Sequence, residues 1–187
     1  RLDCNRCGVR LIEVVSEPDL RSGAEAAAYL RELRAVLLAC GVSDCKMQEG
    51  SLRCDVNLSV RRVGEETLGT RTEIKNINSF SFVEKAIAFE AARQIAELKQ
   101  TGRVRQRTMR YNASSGRTEV MREKEQAADY RFLREPDVPE LFISRETVER
   151  LRRELPELPA ARRARLQKSY GMSADDAAVR TATPGLS

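Results

Sequence analysis

Near the middle of this chain, polar residues recur at every second position: Glu49, Ser51, Arg53, Asp55, Asn57 and Ser59. A strand face that merely meets water usually carries Lys, Glu and Thr, whereas these short, directional groups suit the holding of a ligand. Two other stretches repeat the pattern. Glu13 and Glu17 share one side of 11–17, and Arg71, Glu73 and Lys75 share one side of 70–76, if each runs as a strand. Aligned in one sheet, the three polar faces would bring carboxylates, amides, a lysine and arginines to one concave surface. Hard oxygen ligands suit Mg²⁺, and Lys and Arg neutralise triphosphate oxygens, so the chemistry suggested is phosphoryl transfer. A solvated face threaded with weak surface ion pairs fits the composition equally well.

The elements that must position these groups are legible from periodicity. Residues 11–17, LIEVVSE, read as a short strand ending at Pro18, which cannot continue a ladder. Ser22 and Glu25 form a capping box, and Tyr29, Leu30, Leu33, Leu37 and Cys40 recur at helical spacing until Gly41. From Leu52 to Val60 apolar and polar residues alternate strictly, the mark of a half-buried antiparallel strand, and 70–76 supplies the returning strand. A second capping box, Ser81 with Glu84, opens a long helix whose apolar face is Val83, Ile87, Ala91, Ile95 and Leu98, closed by Gly102. Segments 104–111 and 117–121 read as a hairpin across NASSG, and 129–143 as an extended, proline-punctuated close to the sheet. After Ser144 the composition turns to short Arg-, Glu- and Ala-rich helices broken at Pro156 and Pro159. The expected class is α+β, a mainly antiparallel sheet with flanking helices over 1–147, followed by the start of an all-α domain over 148–187.

Composition excludes several chemistries. The 187 residues contain no histidine, which removes Ser-His and Cys-His pairs, His general bases and His metal ligands from within the chain. No Gly-x-x-x-x-Gly-Lys loop or Gly-x-Gly-x-x-Gly turn occurs, so a nucleotide would be held on a sheet by side chains and metal. Cysteines 4, 7, 40, 45 and 54 read as reduced thiols; Cys4 and Cys7 have zinc-knuckle spacing but lack a second pair. With 33% charged residues and short apolar runs, no membrane span is expected. No secretory signal is recognised, and the start at Arg1 and the end at TATPGLS read as cuts in a longer chain. The net charge of +5 permits an anionic partner, and arginines concentrate in 103–122 and 150–165.

Four blocks are then recognisable. NRCGVRLIEVVSEPDLRSGAEAAAYLRELR at 5–34, MQEGSLRCDVNLSV at 47–60, TRTEIKNINSFSFVEKAI at 70–87 and DYRFLREPDVPEL at 129–141 resemble, in order, the B subunit of the glutamyl/aspartyl-tRNA amidotransferases, of bacterial or organellar type. The resemblance runs from about residue 2 to 180. It implies a cradle domain followed by a helical domain, acting with A and C subunits on misacylated tRNA. In that family ATP phosphorylates the Glu or Asp side chain on the tRNA, and ammonia released from glutamine displaces the phosphate. A cytoplasmic site follows for a bacterial protein, a mitochondrial or plastid one for an organellar protein.

The resemblance places Glu13 in the family's metal-binding segment and implies a role as Mg²⁺ ligand, with Asp55 next, then Glu17 and Glu49. Arg53, Lys75, Asn76 and Asn78 lie in matching motifs and are candidates, with Ser51 and Asn57, for contacts to ATP or the aminoacyl end of tRNA. Glu13, Asp55, Arg53 and Lys75 are the catalytic candidates. Arg10, Gln48 and Arg134 depart from the family pattern, and its GLEVH-like and HxEED-like segments are not in this sequence. The expectation is therefore part of a site, inactive as an isolated piece. A standalone RNA-binding module and a non-catalytic assembly piece are the rival readings; low aromatic content, 5%, speaks against the first.

Overall fold

A computed structural model of the chain describes residues 10–123 and 139–182. Its first element is helix α1, Gly23–Ala39. Ser22 caps it, its Oγ accepting the Glu25 N–H at 3.1 Å, while the Glu25 carboxylate turns back to the Arg21 N–H. Gly41, at φ +65°, takes the chain out of the helix. Strands β1, Cys54–Leu58, and β2, Thr72–Ile77, pair antiparallel as the alternation predicts.

Helix α2, Phe80–Thr101, then crosses over to β3, Arg107–Asn112, which returns through a hairpin to β4, Arg117–Glu123. The crossover makes β2 and β3 parallel, so the sheet, in order β1-β2-β3-β4, is mixed, with two antiparallel pairings flanking a parallel one. The α+β architecture stands. Helices α1 and α2 pack against each other, and Ala26 and Leu30 of α1 with Phe82 and Ile87 of α2 close over the core of Ile74, Ile77, Val83, Ala86, Met109 and Tyr111. On the opposite face Asp55, Asn57 and Arg110 are exposed, Glu73 and Lys75 half-buried and Thr108 buried.

A bulge in β2 decides which residues share that open face. Cys54 pairs with Ile77 and Val56 with Ile74, so Lys75 and Asn76 together oppose Asp55. Asn76 takes up the extra residue at φ +65°, a conformation that asparagine tolerates. Strict alternation would have sent Asn76 inward beside Ile74. The bulge exposes it and lets Ile77 reach the core at three residues' spacing.

Three local expectations need correction. Residues 11–17 form no strand; Leu11, Ile12 and Val15 are 81%, 68% and 80% exposed. β propensity alone does not make a strand, and neither edge of the sheet, β1 nor β4, pairs with this run. The cap of α2 is Ser79, whose Oγ accepts the Phe82 N–H at 3.2 Å, rather than Ser81. The buried face of α2 is Val83, Ala86, Glu90 and Gln94, while Ile95 is 45% exposed.

That buried stripe is polar at its C-terminal half because it is bonded to the sheet. Glu90 accepts from Thr72 of β2 at 2.9 Å, Thr118 of β4 at 2.8 Å, and Arg93 through Nε and Nη2 at 2.9 and 2.7 Å. Gln94 donates to Thr72 Oγ1 at 2.8 Å and to the Leu58 carbonyl at 3.1 Å. A carboxylate with no exposed surface is tolerated only with such partners.

Beyond Ser144, the N-cap of α3 (Arg145–Glu154), come α4 (Pro159–Tyr170), with proline in its first turn, and α5 (Ala174–Thr181). Helices α4 and α5 pack together, and Arg163 of α4 reaches both oxygens of Glu32 on α1 at 2.8 Å. Most of the extended stretch predicted at 129–143, and the Cys4/Cys7 pair, lie outside the described residues.

Candidate functional site

The open face is built by the outward residues of four strands. Lys75 of β2 is its centre: its Nζ donates to Asp55 Oδ2 of β1 at 2.6 Å and lies 3.1 Å from Glu73 Oε1. Asn57 is registered opposite Glu73, and Thr108 of β3 donates to Glu73 Oε2 at 3.2 Å. Arg110, in register with Lys75 across the parallel pairing, bonds Glu119 of β4 through Nε at 3.0 Å and Nη2 at 2.8 Å. Asn112 donates to the other oxygen of Glu119 at 2.7 Å.

The hydrogen bond to Asp55, aided by Glu73, raises the Lys75 pKa against the opposing effect of its partial burial. Hydrogen bonds from Asn112 and then Arg110 hold the Glu119 carboxyl below the ordinary range. This face thus carries three carboxylates, Asp55, Glu73 and Glu119, beside two cations, Lys75 and Arg110. A bare triphosphate would meet repulsion here. One that arrives with a divalent cation would not.

At the C-terminal end of β3, Asn76, Asn78, Arg110, Tyr111, Asn112 and Ala113 line a cleft of about 250 Å³. Two of the candidate ligand-binding amides therefore share a concavity with the open face's arginine. The bulge supplies Asn76, and Asn78 lies between β2 and the α2 cap.

The remaining candidates are placed differently. Arg53 sits exposed at the entry to β1. Ser51 ties the 43–51 loop, accepting the Lys46 N–H at 2.9 Å and bonding Asp44, and Glu49 is held by Lys46 Nζ at 2.9 Å. Glu13 and Glu17 are exposed on the irregular segment before α1, and no hydrogen bond joins them to the open face among the described residues. Among the described residues no three His, Cys, Asp or Glu side chains gather as a metal centre.

Sequence reasoning passed over Thr108, Asn112 and Glu119. Their signal was partly available, since 108 and 110 alternate along the predicted hairpin strand 104–111 and 119 follows on its return, whereas Asn112 was read as the first loop residue and the structure makes it the last of β3. What was missing was the parallel pairing that sets β3 beside β2.

The GatB/GatE catalytic domain family matches residues 1–149, most of the chain. The chain belongs to that family. Among similar proteins are three that bear the name of the B subunit of an aspartyl/glutamyl-tRNA(Asn/Gln) amidotransferase. That of Moorella thermoacetica is 56% identical over 185 residues, 99% of this chain and 39% of its own length. That of Bordetella petrii is 54% identical over 185 residues, 99% of this chain and 38% of its own. That of Bacillus cytotoxicus is 50% identical over 186 residues, 100% of this chain and 39% of its own. The chain spans about two-fifths of the length of these curated relatives. No described helix is long and apolar enough to cross a membrane.

Proposed function

We propose that this GatB/GatE-family chain contributes the carboxylate-activating face of the B subunit of a tRNA-dependent amidotransferase, working in the cytoplasm with an A subunit that releases ammonia and a C subunit. The γ-phosphoryl group of ATP moves to a side-chain oxygen of Glu on tRNA(Gln) or Asp on tRNA(Asn), giving an acyl phosphate and ADP. Ammonia then attacks the carbonyl carbon, the C–O bond to phosphate breaks, and the amide nitrogen loses a proton. Activation is needed because a carboxylate oxygen is a poor leaving group until it is phosphorylated.

The observation that carries this reading is Lys75, held between Asp55 and Glu73 on the open sheet face of a family member. In this reading a phosphate oxygen of Mg·ATP takes one of the positions that Asp55 and Glu73 oxygens now hold at the Lys75 ammonium, which then stabilises the charge developing there. Arg53 and Arg110 extend the cationic line, and Asn57, Asn76 and Asn78 offer amide hydrogen bonds to nucleotide or aminoacyl group. Mg²⁺ enters as part of the Mg·ATP substrate, which asks the protein for only one or two carboxylates. Asp55 is the candidate on the face itself; Glu13 is the one to test off it.

The test is Lys75→Met in the B subunit that carries this chain, assembled with A and C subunits and assayed for ATP- and glutamine-dependent conversion of Glu-tRNA(Gln). A loss of about 10²–10³ in rate is expected, as for removal of one charge-stabilising donor. Undiminished amidation would remove the open face from the mechanism. The exposed run Leu141, Phe142 and Ile143, at 84%, 92% and 68%, favours a second reading in which the chain serves mainly to assemble the complex. In that case Lys75→Met leaves activity intact, and polar substitution of the run abolishes complex formation.

A further inference from the structure

The arginine-rich stretches behave differently once folded. In 145–168 four of the seven guanidinium groups are ion-paired: Arg150 with Glu154 at 3.0 Å, Arg152 with Glu149 at 2.7 Å, Arg163 with Glu32 and Arg165 with Glu157, each at 2.8 Å. Arg103 and Arg105 have no such partner among the described residues. They flank Val104, 8% exposed, which pins the loop between them to the core. The same loop is tied by Gly102 at φ +74°, whose N–H reaches the Leu98 carbonyl, and by Thr101 Oγ1, which lies 2.9 and 2.8 Å from the Glu97 and Arg103 carbonyls and donates its one proton to either. Two cations without an ion-pair partner among the described residues are therefore presented by this tied segment.

With Glu97, Thr101 and Arg107 they line a cleft of about 660 Å³. Its carboxylate is already engaged, since Glu97 meets Arg93 at 2.6 Å and Arg107 at 3.7 Å. The cleft thus has cations to spare and little use for a metal ion or a neutral ligand. It lies at the N-terminal end of β3, and the Asn76/Asn78 cleft at the other. Arg107 of β3 lines the first and Arg110 to Asn112 line the second, roughly 10–17 Å apart along the strand at strand rise.

Resting on the RNA substrate of the function proposed above, we propose that the Arg103/Arg105 cleft is a second anion site holding a backbone phosphate of the aminoacyl-RNA while its acylated end lies on the open sheet face. Guanidinium forks match phosphate oxygens bidentately, and such contacts position a nucleic acid without reading its sequence.

The experiment uses the B subunit that carries this chain, with an unacylated tRNA transcript as probe, over a series of salt concentrations. Arg103→Gln/Arg105→Gln is expected to weaken binding about tenfold and to lower the slope of log K against log salt by about 1–2, while Arg103→Lys/Arg105→Lys keeps most of the slope. Arg150→Gln/Arg152→Gln, on the ion-paired helix, should leave binding within about twofold. An unchanged slope in the glutamine variant overturns the proposal, as does a glutamine variant that loses affinity for Mg·ATP instead of RNA, which would make the cleft a nucleotide site. Failure of the unaltered protein to bind the transcript at all would count against the parent functional reading, and is distinguishable because it needs no variant.

Discussion

Replacing Glu90 with alanine removes the group that joins α2 to both β2 and β4. Its carboxylate accepts from Thr72, Thr118, Gln94 and twice from Arg93, and none of its surface is exposed. After the change Thr72 and Gln94 keep each other and the Leu58 carbonyl, and Arg93 keeps Glu97. The Thr118 hydroxyl, 8% exposed, loses its acceptor, and Arg93 loses a bidentate one. Breaking one side of a buried charged pair costs about 3–5 kcal/mol. At about 2–4 °C per kcal/mol for a chain of this size, Tm should fall by about 6–20 °C.

Glu90→Gln keeps the shape but turns an amide N–H₂ toward donors, and should cost about half as much. Burial pushes the Glu90 carboxyl up, but hydrogen bonds from Arg93, Thr118 and Gln94 outweigh it and hold the pKa below its ordinary 4.5. A group depressed on folding stabilises above its unfolded pKa, and that contribution is lost as pH falls from about 4.5 towards the folded value. Urea unfolding across that window should therefore show a flatter acid limb for Glu90→Gln. A Tm drop under about 2 °C for the alanine variant, or an unchanged acid limb for the glutamine one, would refute the argument.

Two further outcomes follow from the open face and its surroundings. At the bulge, Asn76→Gly should leave stability within a few tenths of a kcal/mol, whereas Asn76→Val should lose about 1–2 kcal/mol, because a β-branched residue resists φ +65°; denaturant midpoints for the two that coincide would show the bulge is not held. Burial, with the Asp55 charge beside it, pushes the Cys54 thiol up to about 11 from an ordinary 9.0, which leaves about a hundredfold fewer thiolates at pH 8. Iodoacetamide should accordingly modify Cys54 at least that much more slowly in the folded chain than in urea, as read by peptide mass spectrometry; equal rates would contradict the burial.

What the sequence alone determined is local and periodic. The alternation from Leu52 to Val60 specified β1 and turned Asp55 and Asn57 outward, because side chains in a strand must alternate. Ser22, Gly41 and Gly102 marked helix ends, because capping and left-handed geometry are set within a few residues. Only the tertiary structure decided what depends on partners far along the chain. LIEVV is as β-prone as β1, yet it pairs with neither edge strand. Glu90 and Gln94 look like solvent residues on α2 until Thr72 and Thr118 arrive from two strands to satisfy them. Lys75 became the centre of a face because the α2 crossover set β3 parallel beside β2 and a one-residue bulge turned Asn76 outward. Hydrogen-bond partners more than a dozen residues away leave no periodic trace in a sequence, so the site's elements were readable and its assembly was not.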